Sequence, residues 1–256
     1  MNVVSPVSHY STFSVYLTEA RLEFIRMLRM PMFALPALVF PAMFYLLFGV
    51  LMAKGRTEMG SYLLATYSIF GVMGPGLFGF GVSVAMEKDR GWLRWRRAVP
   101  ALPGAYFVSK MVMAWIFAFI IFVELALLAG TLGGVHLATT QWLLLLVTSL
   151  LSSLPFCAMG LVIGTLVNGQ AAPAVVNFIY LPMAFLSGLW IPISLLPKFL
   201  GKIAPIWPSY HASQIALKVI GNDLGVPLWQ HIAYLMAFTL VMLWLAVTFW
   251  SRMKLK

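Results

Sequence analysis

The chain has 256 residues, 62% of them hydrophobic and 9% charged, with a formal net charge of +10. Soluble domains carry roughly 25% charged residues, so this composition excludes a soluble protein and describes an integral membrane protein with no soluble domain left over. Topology and anionic headgroups account for the positive charge, so no nucleic-acid partner is expected.

The first fifteen residues show neither a basic n-region nor a cleavage site, so no removable signal peptide is expected. From Phe13 to Arg29 the apolar residues Phe13, Leu17, Ala20, Phe24 and Leu28 recur at spacings of three and four. Glu19, Arg21, Arg26 and Arg29 take other faces, which predicts an amphipathic helix in the membrane interface, or else an ordinary helix packed on its own protein.

Met30 to Ala53, Met59 to Met86, Leu125 to Pro197 and Leu224 to Ser251 contain no Asp, Glu, Lys or Arg. A span needs about 20 residues, so the long run from Leu125 must hold more than one. Six spans result. The first covers about Met32 to Ala53, with Pro31, Pro36 and Pro41 in its first half, where the helix should bend. The second covers about Gly60 to Met86 and carries Gly71, Gly74, Gly76, Gly79 and Gly81 around Pro75, a run suited to close helix packing or a kink.

Between the second and third spans lies Met86 to Lys110, MEKDRGWLRWRRAVPALPGAYFVSK, with six of the seventeen basic residues and two of the seven acids. By the positive-inside rule this loop is cytoplasmic. Acids and bases leave the membrane together at Glu87, Lys88, Asp89 and Arg90, then come Gly91, an amphipathic turn, Pro100 and Pro103. The order describes a short helix across a membrane exit. A helix over Gly91 to Val99 would set an aromatic ridge, Trp92 and Trp95, beside a basic one, Leu93, Arg96 and Arg97.

The third span covers about Val108 to Gly130 and the fourth about Gln141 to Val167. A tight turn at Asn168-Gly169-Gln170 leads to the fifth, Ala171 to about Trp190. Leu189 to Val226 is broken by Pro192, Pro197, Pro205 and Pro208, yet it stays apolar, which favours short helices packed on the spans and ending in one over Ser209 to Ile220. The sixth span, about Leu228 to Trp250, is bracketed by Trp229 and Trp250 as interfacial anchors. Twelve basic residues fall on the side of the Met86–Lys110 loop and five on the other, so both termini are expected in the cytoplasm. The whole chain, 1–256, reads as one transmembrane domain: a tail and interfacial helix over 1–30, six spans over 31–250 and a tail over 251–256.

Two stretches resemble the type-2 ABC exporter permeases. Glu87 to Gly91, the helical turn, Pro100 and the small-residue/aromatic run into Lys110 are similar to the family's first cytoplasmic loop. Pro182 to Ala212, PMAFLSGLWIPISLLPKFLGKIAPIWPSYHA, is similar to its Ser-Gly, Pro, Leu-Pro and Pro pattern after the fifth span. The resemblance implies an all-α integral membrane fold of six transmembrane helices. It adds an N-terminal cytoplasmic interfacial helix and a re-entrant outer helical cap before the last span. It also implies a homodimer in the bacterial inner membrane, in contact with lipid, working with two copies of a separate ATPase subunit that binds ATP and Mg. Glu87, Asp89, Arg90, Gly91, Trp92, Trp95 and Arg96 would then couple the chain to that ATPase. Arg94, Arg96 and Arg97 make the loop more basic than is usual for the family.

Residues able to do chemistry are few. No histidines have metal-ligand spacing, there is no HExxH motif or Gly-x-Ser-x-Gly elbow, and no P-loop is present, so neither a catalytic residue nor a metal site nor a cofactor of its own is expected. His136, His211 and His231 are expected as interface or cap residues, and Cys157, the only cysteine, as a buried small hydrophobe. Glu124 lies inside a span at a cost of roughly 2.5 to 3.5 kcal/mol unless protonated, paired or wet. It either lines a cargo path, with Asn177 and Ser187 as further candidates, or is a protonated acid bonded to a neighbour. The expected function is export of a hydrophobic or amphiphilic cargo such as a drug, lipid or glycan. The alternative is a membrane-embedded lipid-acting enzyme or assembly factor; a passive channel would want a polar stripe on one helix face, and none is visible.

Overall fold

The computed structural model describes residues 12–53, 55–98 and 103–252. Expectations for His9, Lys54, Val99, Pro100, Lys254 and Lys256 fall outside the described residues. Among the described residues all regular structure is helical.

Helix α1, Thr12–Leu28, forms where the spacing predicts an amphipathic helix. Helix α2, Pro31–Phe44, runs on into a π-helical segment, Tyr45–Leu51. Helix α3, Thr57–Gly76, runs into a second, Leu77–Val82, and then into α4, Ser83–Asp89. Each π segment follows a proline within its helix, Pro41 and Pro75. A proline lacks the N–H that an α-helical turn needs and crowds the carbonyl four residues back, so widening the following turns accommodates the disruption.

The remaining helices are α5, Trp92–Ala98; α6, Pro103–Thr131; α7, Thr139–Leu166; α8, Ala172–Leu186; α9, Lys198–Ile203; α10, Pro208–Val219; and α11, Leu228–Arg252. Pro208 opens α10 at its first turn, where a missing N–H costs nothing. Among the described residues, five helices are long and apolar enough to cross a membrane: Pro31–Leu51, Thr57–Asp89, Gly104–Thr131, Thr139–Leu166 and Leu228–Arg252. The element expected as the fifth span is apolar but only 15 residues long, about 22 Å at 1.5 Å per residue against a hydrocarbon core of about 30 Å. Gly188, with φ +77°, stops it, and Leu189 N–H closes back onto the Ala184 carbonyl at 3.2 Å in a Schellman-type end.

The helix Thr57–Asp89 is the axis of the bundle. Of its most apolar stretch 83% is buried, against 6% for Leu228–Arg252, which lies on the outside against α7. The glycines of the second span make a close crossing with α7. A Cβ at Gly160 would stand 2.7 Å from the Gly76 carbonyl, and one at Gly164 2.9 Å from that of Gly81. Tyr45, Tyr67, Phe70, Met73, Leu77, Ile121 and Phe156 form the buried core around that axis.

Candidate functional site

One end of the bundle gathers the Met86–Lys110 loop. Gly91, at φ +74°, ends α4 and turns the chain into α5, and Gly91 N–H donates to the Lys88 carbonyl at 3.1 Å. Three successive side chains before that turn grip three different parts of the protein.

Glu87 points inward and is 8% exposed. Its carboxylate accepts from Tyr106 Oη at 2.6 Å and from Lys110 Nζ at 3.0 Å on α6, and lies 2.5 Å from Arg26 Nη2 on α1. Lys110 is wholly buried, and its ammonium also meets Glu23 Oε1 at 2.8 Å and Ser83 Oγ, so its three protons have three acceptors. Arg26 bridges Glu23 at 2.6 Å and Glu87. Burial works against its charge, but Glu87 and Glu23 outweigh that and hold the guanidinium pKa above its ordinary value. Two acids and two bases thus form a neutral cluster joining α1, α4 and α6.

Lys88 turns the other way. Its Nζ donates to the carbonyls of Gly164 at 3.3 Å, Thr165 at 3.0 Å and Val167 at 2.7 Å, satisfying the unpaired C-terminal carbonyls of α7 with a cation at the negative end of its dipole. Asp89 accepts from Gly169 N–H at 2.6 Å, in the turn between α7 and α8. Arg90 is exposed.

Helix α5 lies across this end with Leu93 as its anchor, buried against Phe80, Val84 and Tyr106. Trp92 and Trp95 are 64% and 72% exposed, so the expected aromatic ridge is present. Arg96, expected on a basic ridge beside it, turns instead toward α1, where it pairs with Glu19 and lies 4.9 Å over the Tyr106 ring. Beneath α5 is a cavity of ≈ 330 Å³ bounded by Glu19, Glu23, Arg26, Glu87, Trp92 and Arg96.

The three candidates for a cargo path do not share one site. Asn177 is exposed on α8 and lines an apolar groove of ≈ 240 Å³ with Phe33, Phe40, Phe44, Phe78 and Trp190. Ser187 is buried, donating to the Met183 carbonyl at 2.6 Å and bonded to Ser209. Glu124 is half-buried on α6, with no hydrogen-bond partner among the described residues. Sequence reasoning missed Glu23, Ser83 and Tyr106, whose partners lie in other helices. The Glu19, Glu23, Arg26 spacing on one face of α1 was the available signal. It also missed that His211 and His231 meet, while His136 is exposed.

A helical bundle with five membrane-length helices and a buried charge cluster at one end defines a multi-pass membrane protein. Residues 52–248 match the family described as ABC-2 family transporter protein, and the chain belongs to that family. It is also similar to "Putative transport permease YvfS" of Bacillus subtilis (strain 168), 25% identical over 227 residues that cover 88% of this chain and 92% of that one. The chain is therefore a transmembrane transporter component, an ABC-2 type permease, as the two stretches quoted from its sequence indicated.

Proposed function

We propose that the chain is the membrane subunit of an ATP-driven exporter, working as a homodimer with two copies of a separate ABC ATPase that binds ATP and Mg. The observation that carries this reading is the pairing of two exposed tryptophans on α5 with the bonding behind them. Large exposed aromatics on a short helix suit a partner's pocket. Glu87, Lys88 and Asp89 fasten the chain just before α5 to α6, α1, α7 and the α7–α8 turn, so a push on α5 reaches the span bundle as a block.

Two further features support the export reading. The groove beside Asn177 is lined mainly by aromatic and aliphatic side chains, which suits a hydrophobic or amphiphilic cargo. Helix α8 begins beside Asp89 and ends beside Tyr62, whose Oη donates to the Gly188 carbonyl at 3.1 Å. The segment from Gly169 to Gly188 thus has its two ends fixed near opposite ends of the axis helix, which supports a sixth crossing. Arg21, Arg29, Arg90, Arg94 and Arg252 gather at the Asp89 end, which supports placing that end and both termini in the cytoplasm of a bacterial inner membrane.

The test is co-purification and turnover. The full chain is expressed with its ATPase subunit, and Trp92→Ala with Trp95→Ala is expected to release the ATPase or abolish cargo-stimulated hydrolysis. Wild-type yield and turnover in that variant would remove the coupling role. For the sidedness, a water-soluble thiol reagent should reach cysteines placed at Thr57 and Asn222 from outside and at Arg94 from the cytoplasm; the reverse pattern inverts the topology.

A further inference from the structure

At the opposite end of the bundle from Asp89, α10 and α11 meet through two histidine rings. His211 Nδ1 and His231 Nδ1 are 2.8 Å apart. His211 Nε2 lies 2.9 Å from the Pro205 carbonyl, and Tyr234 stacks on the His211 ring at 3.9 Å while its Oη donates to the Ile206 carbonyl at 2.5 Å. The rings are 9% and 1% exposed.

Proton placement follows from these partners. A carbonyl only accepts, so His211 Nε2 carries the hydrogen, and in the neutral ring Nδ1 is then a bare acceptor. His231 Nδ1 must donate to it, which leaves His231 Nε2 without a hydrogen. That nitrogen is buried and has no hydrogen-bond partner. The neutral pair therefore makes one good hydrogen bond between α10 and α11 and leaves one buried lone pair without a donor.

We infer that this histidine pair is a proton-operated latch, closed while both rings are neutral and opened by protons from the aqueous phase on that side. The first added proton goes to His231 Nε2, placing a positive charge and an unpaired N–H in a buried site. A second, on His211 Nδ1, sets two N–H groups against each other and breaks the inter-ring bond. The first step strengthens the donor in the inter-ring bond but leaves a buried charge unpaired; the second breaks that bond, and so favours separation of α10 from α11 and loosens the turn that His211 and Tyr234 hold at Pro205 and Ile206.

The groups facing the pair supply no net counter-charge. Tyr210 on α10 and Tyr234 on α11 are neutral rings against it. Lys218 and Asp223 pair with each other at 2.5 Å. Helix α7 carries no Asp, Glu, Lys, Arg or His, and α3 brings Glu58 and Tyr62 to a cavity shared with Gln214 and Leu217. Burial lowers the His211 pKa below its ordinary value, with the Pro205 carbonyl opposing it. A lowered histidine pKa means a contact fully present above the ordinary value and lost as pH falls through the folded one.

The experiment uses the full chain in lipid nanodiscs, with a water-soluble maleimide. One variant carries Ser213→Cys, buried on α10, and another Asn222→Cys, exposed beyond it; the parent chain, with its buried Cys157, is the blank. The ratio of the two labelling rates removes the shared pH dependence of the thiol. Between about pH 7.5 and about pH 5 the ratio is expected to rise about tenfold. Adding His231→Asn, whose amide N–H replaces Nδ1–H without titrating, should hold the ratio flat and low. A flat ratio with the natural pair, or an equal rise with His231→Asn, overturns the latch. ¹⁵N-histidine spectra of the chain without substitutions provide a check independent of variant folding: a His231 Nδ1–H tautomer near neutral pH is expected, and an Nε2–H tautomer overturns the proton placement.

Discussion

Lys110 Nζ sits 3.0 Å from Glu87 Oε1 with none of the lysine side chain exposed. The pair joins the end of the axis helix to α6, the helix that follows the loop. Removing one partner of a buried pair leaves an uncompensated charge, at about 3 to 5 kcal/mol. Lys110→Met and Glu87→Gln should each lower the melting temperature of the detergent-purified chain. Their combination should cost less than the sum of the singles, because neither charge is then left alone. Strict additivity would show that the two do not interact.

The tryptophans on α5 should behave in the opposite way. Trp92 and Trp95 are mostly exposed, so Trp92→Ala and Trp95→Ala should change the stability of the isolated chain by no more than about 0.5 kcal/mol. Each should weaken binding of the ATPase subunit by about 2 kcal/mol, roughly thirtyfold. Arg94→Glu with Arg96→Glu should weaken assembly in a salt-dependent way, and the part due to Arg96 should appear as lost stability, since that residue pairs with Glu19. Calorimetry and co-purification at two salt concentrations distinguish the effects.

The glycine crossing makes a packing prediction with an internal control. Gly160→Ala forces a methyl against the Gly76 carbonyl, whereas a Cβ at Gly74 meets nothing within 4 Å. The first should destabilise by about 1 to 3 kcal/mol; the second should leave the melting temperature nearly unchanged. Equal effects would remove the close crossing as the reason for these glycines.

Glu124→Gln removes no hydrogen bond among the described residues, so expression and melting temperature should hold. On the cargo-path reading, export of cationic cargo should fall while neutral cargo is spared. A drop in stability with unchanged selectivity would make Glu124 a packing residue instead, and a variant normal in every respect would give it neither role.

The spans were legible because length and absence of charge are strong signals at membrane depth. The expected spans one to four and six coincide with helices to within a few residues, as do the amphipathic α1 and the last short helix, α10. The end of α8 was not legible, since apolar sequence continues past Gly188 while its backbone leaves the helix. Side-chain partnership was also hidden. Lys110 could be noticed as a lone lysine after an aromatic run, but nothing local says that it reaches Glu23, 87 positions away, as well as Glu87. His211 and His231 likewise lie at no recognisable spacing and meet only because α10 folds back on α11.

The neutral cluster behind α5 also alters how the positive charge of this chain should be counted. Arg26, Lys88, Lys110 and Arg96 contribute to the sequence excess at one end of the bundle, yet their bonds are made to carboxylates, carbonyls and a hydroxyl of the protein itself. Among the described residues, what remains to meet a lipid surface there is the exposed set Arg21, Arg29, Arg90, Arg94 and Arg252. At about 1 kcal/mol for each basic residue near an anionic leaflet, adhesion to acidic lipid follows this smaller group. Changing lipid charge should therefore act on the rim of the protein while leaving the cluster beneath it intact.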